Sequence, residues 1–171
     1  MNNSQRPEEG EYPAYFRKYL ALNSSESYEN QIETQIKACY RFFEGKGNDW
    51  ADKPYADSKW TPKEVLGHVI DTERIMTFRG LCFSRGEKSP LPGFDQDPYV
   101  TQAQFGQVAV SDLLEDFKNQ RIALLSLIKT LPADSFSNLG QASGNQLSPR
   151  ALFWIIPGHF EHHFSILKER Y

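Results

Sequence analysis

The sequence predicts an all-α protein, a four-helix bundle, and three observations predict it. Four long windows repeat apolar residues every three to four positions. Two of them open on a capping residue followed by proline, Thr61-Pro62 and Ser148-Pro149. No segment carries a convincing period-two alternation of the kind a strand needs. Four amphipathic helices joined by loops satisfy their apolar faces by packing on one another.

The elements follow in chain order. Tyr15, Phe16, Tyr19 and Leu20 predict a short helix near 13–21, broken by Asn23-Ser24-Ser25. The first long helix begins near Ser27 and carries Ile32, Ile36, Cys39 and Phe43 to about Glu44, where Gly45 and Gly47 end it. Residues 45–60 read as a loop holding Trp50, Tyr55 and Trp60. The second helix has the clearest start: Thr61 as N-cap, Pro62 at the first helical position and Glu64 closing a capping box. Its stripe of Val65, Val69, Ile75 and Cys82 reaches about Arg85, and Gly86 stops it. A long loop over 86–110 follows; structureless loops of that length are uncommon and often functional. Ser111 or Asp112 caps a third helix to about residue 130, with Leu113, Phe117, Gln120, Leu124 and Leu127 on one face. Pro132 ends it, and a second loop spans 132–147. The fourth helix starts at Ser148 and runs toward Arg170.

Composition narrows the function classes. The 171 residues are 39% apolar and 13% aromatic, which excludes a disordered chain. At this length roughly 70% of the unfolded surface is buried on folding, enough for a core without disulfides. The organisation expected is a loose lead-in over 1–13 and one bundle domain over 14–171. The net charge of −3 and pI near 5.8 offer no broad basic surface, so nucleic acid is not expected as a partner. Cys39 and Cys82 are too few for a disulfide framework and read as buried thiols. The opening MNNSQRPEEG lacks the apolar stretch of a signal peptide, and the run Ala151 to Ile156 is too short to span a membrane. A soluble cytoplasmic protein without a membrane partner is the expectation.

Chemistry concentrates in the histidines. The chain has 4: His68 on the second helix and His159, His162 and His163 on the fourth. At about 100° per residue, His159 and His163 differ by only about 40° and share the face of Leu152, Ile155 and Ile166. His162 turns about 60° away and edges that face. His68 shares its face with Val65, Thr72 and Ile75. An inward histidine is either a hydrogen-bonded core residue or a ligand. Three of them among aliphatic neighbours lack obvious hydrogen-bond partners, and one metal ion would serve all three. If the second and fourth helices are neighbours, three imidazoles meet in one cavity and leave a coordination position open, as in reactive zinc sites.

Other polar residues surround this set. Asp71 follows His68 by three positions; it either accepts that ring's second N–H or stands as a solvated helix residue. Glu64 is accounted for by the capping box, and Glu73 and Glu161 read as surface or ion-pair residues. Arg79 lies on the His68 face three turns on, and needs an acidic partner, a ligand or a route to the bundle end. The segment 92–100 (PGFDQDPYV) either packs Phe94 and Tyr99 as a turn or presents Asp95, Asp97 and Tyr99 to a substrate. Pro157, inside the fourth helix, removes the bond to the Phe153 carbonyl and is expected to kink the helix beside the histidines.

Two stretches carry a family likeness. KWTPKEVLGHVIDTERIMTFRGLCFSRGEKSPLPGFDQDPYV at 59–100 resembles the second helix and following loop of the DinB-like superfamily, also called YfiT-like metal-dependent hydrolases. PGHFEHHFSILKERY at 157–171 is similar to its last helix, with a His-x-x-His-His pattern. The likeness covers most of 14–171. It implies an up-down-down-up bundle and a divalent metal held by His68, His159 and His163. Members are variously linked to thiol-cofactor transferases, a maleylpyruvate isomerase and damage-inducible proteins, and many are homodimers. Pro157 departs from the pattern, where a small helix former such as Ala is expected.

The expected function is therefore a metal-dependent hydrolase or thiol S-transferase acting on a small molecule, with water or a thiolate as nucleophile. Zinc or nickel is the expected metal, a low-molecular-weight thiol a candidate cofactor, and Asp71, or an acid from the 92–100 loop, the candidate general base. The alternative is a non-catalytic binding module in which the metal ties two helices together.

Overall fold

The computed structural model describes residues 6–24 and 27–171. A 3-10 turn over Ala14–Phe16 leads into α1 (Arg17–Leu20), followed by α2 (Tyr28–Phe43), α3 (Asn48–Ala51), α4 (Pro62–Ser84), α5 (Gln96–Ala103), α6 (Val110–Thr130) and α7 (Pro149–Arg170). The long helices α2, α4, α6 and α7 form the bundle. α4 packs along α7 and α6, and α2 packs on the other flanks of α6 and α7. The second and fourth bundle helices are therefore neighbours, the relation that spacing alone left open. No helix among the described residues is long and apolar enough to cross a membrane.

The caps predicted for three bundle helices are made. Ser27 accepts from Asn30 N–H, Thr61 and Glu64 form a reciprocal capping box, and Ser148 accepts from Ala151 N–H. The third differs. α6 starts at Val110, not at 111–112, with Ala109 as N-cap. The Val110 N–H is satisfied from outside, by Asn48 Oδ1 at 3.1 Å. That oxygen belongs to α3, a turn inside the expected 45–60 loop, so a tertiary contact replaces the local cap.

Two loops hold more order than their sequences announce. The 86–110 segment folds α5 after Asp95, whose Oδ1 accepts from Asp97 N–H. The 132–147 segment holds a 3-10 turn at Ala133–Ser137 and a hairpin, β1 (Gly140–Ala142) and β2 (Asn145–Leu147), where no strand was expected. Three-residue strands are too short for alternation to register. Ser143 and Gly144 turn it with φ of 52° and 74°, the positive pair that a tight hairpin turn requires. Leu91 pairs beside β1, so the hairpin tip and the loop after α4 are tied together.

A buried polar network spans the bundle. Arg121 on α6 and Glu73 on α4 form a two-pronged ion pair at 0% and 1% side-chain exposure. Arg121 Nη1 also donates to Gln35 Oε1 on α2 at 2.7 Å, and Gln35 Nε2 donates to the Pro157 carbonyl and to Glu161 on α7. Of the two readings of Glu73, surface or ion pair, the ion pair is the one formed, and it is buried in the core. The guanidinium also lies over the Phe117 and Phe160 rings. Cys39 is buried and Cys82 half-buried, and both are free thiols.

α7 stays one helix through Pro157. The Phe153 carbonyl that the proline leaves open accepts the hydroxyl of fully buried Tyr28 at 3.0 Å. Burial pushes that phenol up, keeping it protonated as a donor. One residue on, Gly158 lets α1 approach: a Cβ there would meet the Tyr19 carbonyl oxygen at 2.0 Å. Backbone cannot swing aside as a side chain can. Gly158→Ala should therefore lower stability by about 1–3 kcal/mol and loosen α1 from α7. A chemical-denaturation midpoint within error of the parent would contradict this.

Candidate metal centre

His68 comes from the second turn of α4, and His159 and His163 from consecutive turns of α7. Because those helices are packed neighbours, the three rings converge. Their centroids stand 5.1 Å (68 to 159), 4.8 Å (68 to 163) and 4.5 Å (159 to 163) apart. One ligand nitrogen from each lies within 4.8 Å of the others, and His163 Nε2 sits 3.1 Å from His159 Nε2. Nitrogens on one zinc at about 2.0–2.1 Å would be roughly 3.4 Å apart, so these rings need only small rotations to share an ion. His68 Nε2 is buried with no hydrogen-bond partner, the orphaned donor atom that a metal would use. Trp60 packs on the His68 ring and Tyr19 on the His159 ring.

Protonation suits metal binding. Burial pushes His68 down to about 4. Burial, with added repulsion from His68, His162 and Lys18, takes His163 down to about 3. Burial drives His159 well below its usual range, with His163 and His68 adding to it. All three are neutral at pH 7, the form that coordinates. In the metal-free protein this makes folding proton-sensitive. Unfolded histidine titrates near 6.5, so below that pH the unfolded chain binds more protons than the folded one. Stability present above about 6.5 should therefore be lost as pH falls toward about 4 for His68 and about 3 for His163. For His68 the full loss is roughly 3 kcal/mol. Unfolding midpoints of chelator-treated protein measured from neutral pH down to about 4 check this, and a flat profile contradicts it.

Two cavities reach the cluster. The larger, about 500 Å³, exposes His68 and His159 and extends along α4 past Thr72 and Met76 to Arg79. The smaller, about 290 Å³, exposes His163 beside Trp60, Tyr55 and Asp97. Gln96, at the start of α5, lines both. The 92–100 segment therefore covers the site, with Asp95 on the larger cavity and Asp97 on the smaller; Phe94 also packs on Tyr99 with tilted rings.

The remaining residues sort by position. Asp71 is not brought to the cluster: half-buried, it pairs with Arg74 at 3.9 Å and lines neither cavity. Burial raises its carboxyl, and Arg74 pulls it back. His162 stands beside His163 and Tyr19, outside the group of three. Arg79 keeps its guanidinium in the larger cavity. Thr72, one turn from His68 and unremarked in the sequence as a site residue, lines the same cavity, with its hydroxyl oxygen buried and without a hydrogen-bond partner. Its position on the His68 face was the one available signal.

The family model of the DinB superfamily matches residues 31–167. Among solved structures, the chain is similar to YfiT from Bacillus subtilis, described as a probable metal-dependent hydrolase with an unusual four-helix bundle topology. The two share 17% identity over 96% of this chain and 90% of that one, with a TM-score of 0.74. That identity speaks to the fold. No curated protein matches.

Proposed function

The chain belongs to the DinB superfamily, and from that premise we propose that it is a metal-dependent hydrolase of a small molecule, with His68, His159 and His163 as ligands of one divalent ion. The observation that carries the reading is the cluster itself: three neutral imidazoles within 4.8 Å of one another beside a cavity of about 500 Å³. A divalent ion there would supply Lewis acidity and lower the pKa of a water, in favourable zinc cases to about 7. Zinc or nickel fits an all-imidazole donor set. The protein's own groups divide the remaining work. Burial keeps the imidazoles unprotonated, and Trp60 and Tyr19 hold two of the rings in place. α5 shields the site and brings Gln96 and Asp95 to its mouth, where Asp95 is better placed than Asp71 to take up a proton.

YfiT's description as a probable metal-dependent hydrolase lends support to the same reading. Two free cysteines accord with a reducing compartment, and we place the protein in the cytoplasm. The test is turnover of a panel of small esters, amides and thioesters, with and without a low-molecular-weight thiol. Chelation should abolish turnover, and zinc or nickel should restore it. Turnover indifferent to chelation would overturn the reading. Consumption of the thiol in place of water would convert the hydrolase into a thiol S-transferase at the same centre.

A further inference from the structure

Arg79 is the unabsorbed charge of the larger cavity. The residue is only 5% exposed, and a buried guanidinium ordinarily has an acidic partner. Arg79 forms no ion pair among the described residues. Its Nη2 donates to the Pro92 carbonyl at 2.7 Å and to Ser143 Oγ at 3.1 Å, and Phe94 lies against the group. Both acceptors are neutral. They come from the loop after α4 and from the hairpin tip, so two separate segments hold the guanidinium in place. Ser143 adopts a left-handed backbone, φ 52°, in the turn that presents its hydroxyl. The remaining donors of the fork, Nε and Nη1, make no hydrogen bond among the described residues. Asp95, the one carboxylate lining the cavity among the described residues, accepts from Asp97 N–H on Oδ1 and forms no ion pair with Arg79.

A second observation lies along the same floor. Thr72 is 4% exposed, and its Oγ1 is buried without a hydrogen-bond partner. His68, Thr72 and Arg79 fall within about 40° on one face of α4, with the outer two about 16 Å apart along the axis. Helical side chains lean toward the N-terminus, which tips Arg79 back toward the histidines. One cavity thus runs from a metal-competent cluster at one end, past Thr72, to a fixed cation with no ion-pair partner among the described residues at the other.

We propose that this cavity binds an extended small molecule bearing a carboxylate, with the carboxylate on the Arg79 fork and the reacting end at the three histidines. The inference rests on the proposed metal centre and adds the substrate class. A carboxylate matches the planar fork and supplies the counter-charge that Arg79 lacks. Arg79 is then a substrate-binding residue and sets specificity by charge and by distance from the metal.

The experiment uses zinc-loaded full-length protein and two series of probes, ω-mercaptoalkanoic acids of increasing chain length and the matching uncharged ω-mercapto alcohols. Their thiols seek the metal, and only the acids offer a carboxylate. Zinc content is measured before any probe is added, and affinities are then read by calorimetry. At the best chain length the acid should bind at least about tenfold more tightly than the alcohol, as a charge-assisted pair predicts. That preference should shrink to about twofold or less in Arg79→Met and survive in part in Arg79→Lys. Equal affinities for acid and alcohol at every length, in wild-type protein holding its zinc, would overturn the carboxylate pocket and leave the metal centre standing. Retention of the full preference in Arg79→Met would also overturn it. Wild-type protein that takes up no zinc would instead overturn the metal centre, and the pocket with it. The wild-type comparison needs no variant to fold.

Discussion

Replacing Glu73 with alanine should lower the unfolding free energy by about 3–5 kcal/mol, a large share of the total for a domain this size. The reason is what stays behind. Arg121 is completely buried and its guanidinium is matched by the Glu73 carboxylate and the Gln35 amide oxygen. Removing the carboxylate strands a positive charge among Phe117, Phe160 and the surrounding core. The network touches α2, α4, α6 and α7, so the loss is felt by every helix of the bundle. A matched control is Glu29→Ala, which breaks the exposed pair with Lys129 and should change little. Urea titration of both variants checks the contrast. A Glu73→Ala loss no larger than the control would contradict it.

Metal should raise thermal stability by a comparable amount. A ligand that binds only the folded state stabilises by about 4 kcal/mol when present at about 1,000 times its Kd. For a chain of this length each kcal/mol moves Tm by about 2–4 °C, so saturation with zinc or nickel should raise Tm by roughly 8–16 °C over chelator-treated protein. The three imidazoles sit on α4 and α7, and an ion between them would staple two helices that carry much of the core. Replacing His163 with alanine should reduce the shift sharply. Calorimetric scans with and without metal measure it, and a rise of less than about 2 °C at saturation would contradict the centre.

Much of the bundle was legible because its signals are local. Thr61-Pro62 with Glu64, and Ser148-Pro149, name their helix starts within four residues, and α4 and α7 begin at those places. The histidine set was legible for a similar reason. Two rings four residues apart share a face on any helix, and His68 shares its face with apolar neighbours. What sequence spacing lacked was adjacency, and the packing of α4 on α7 provides it. The misses are tertiary. α6 takes its cap from Asn48, 62 residues away, so nothing near Val110 marks the start. Arg121 is polar by type and buried only because Glu73 and Gln35 meet it from two other helices. Asp71 has the right offset from His68, yet three residues on a helix leave it about 60° around the face, where its carboxylate meets Arg74 instead. Pro157 leaves a carbonyl free, and Tyr28, 125 residues distant, accepts the task of filling it. The hairpin at 140–147 is anchored by Leu91 and by Arg79, neither of which its own short strands could announce.

The central claim is that rings from α4 and α7 hold one ion together, and elemental analysis of protein purified without chelator tests it most directly, wild type beside His68→Ala. The account predicts about one divalent ion per wild-type chain and a large loss in the variant, with the helical circular-dichroism signal retained. Equal metal content in the two proteins would contradict it.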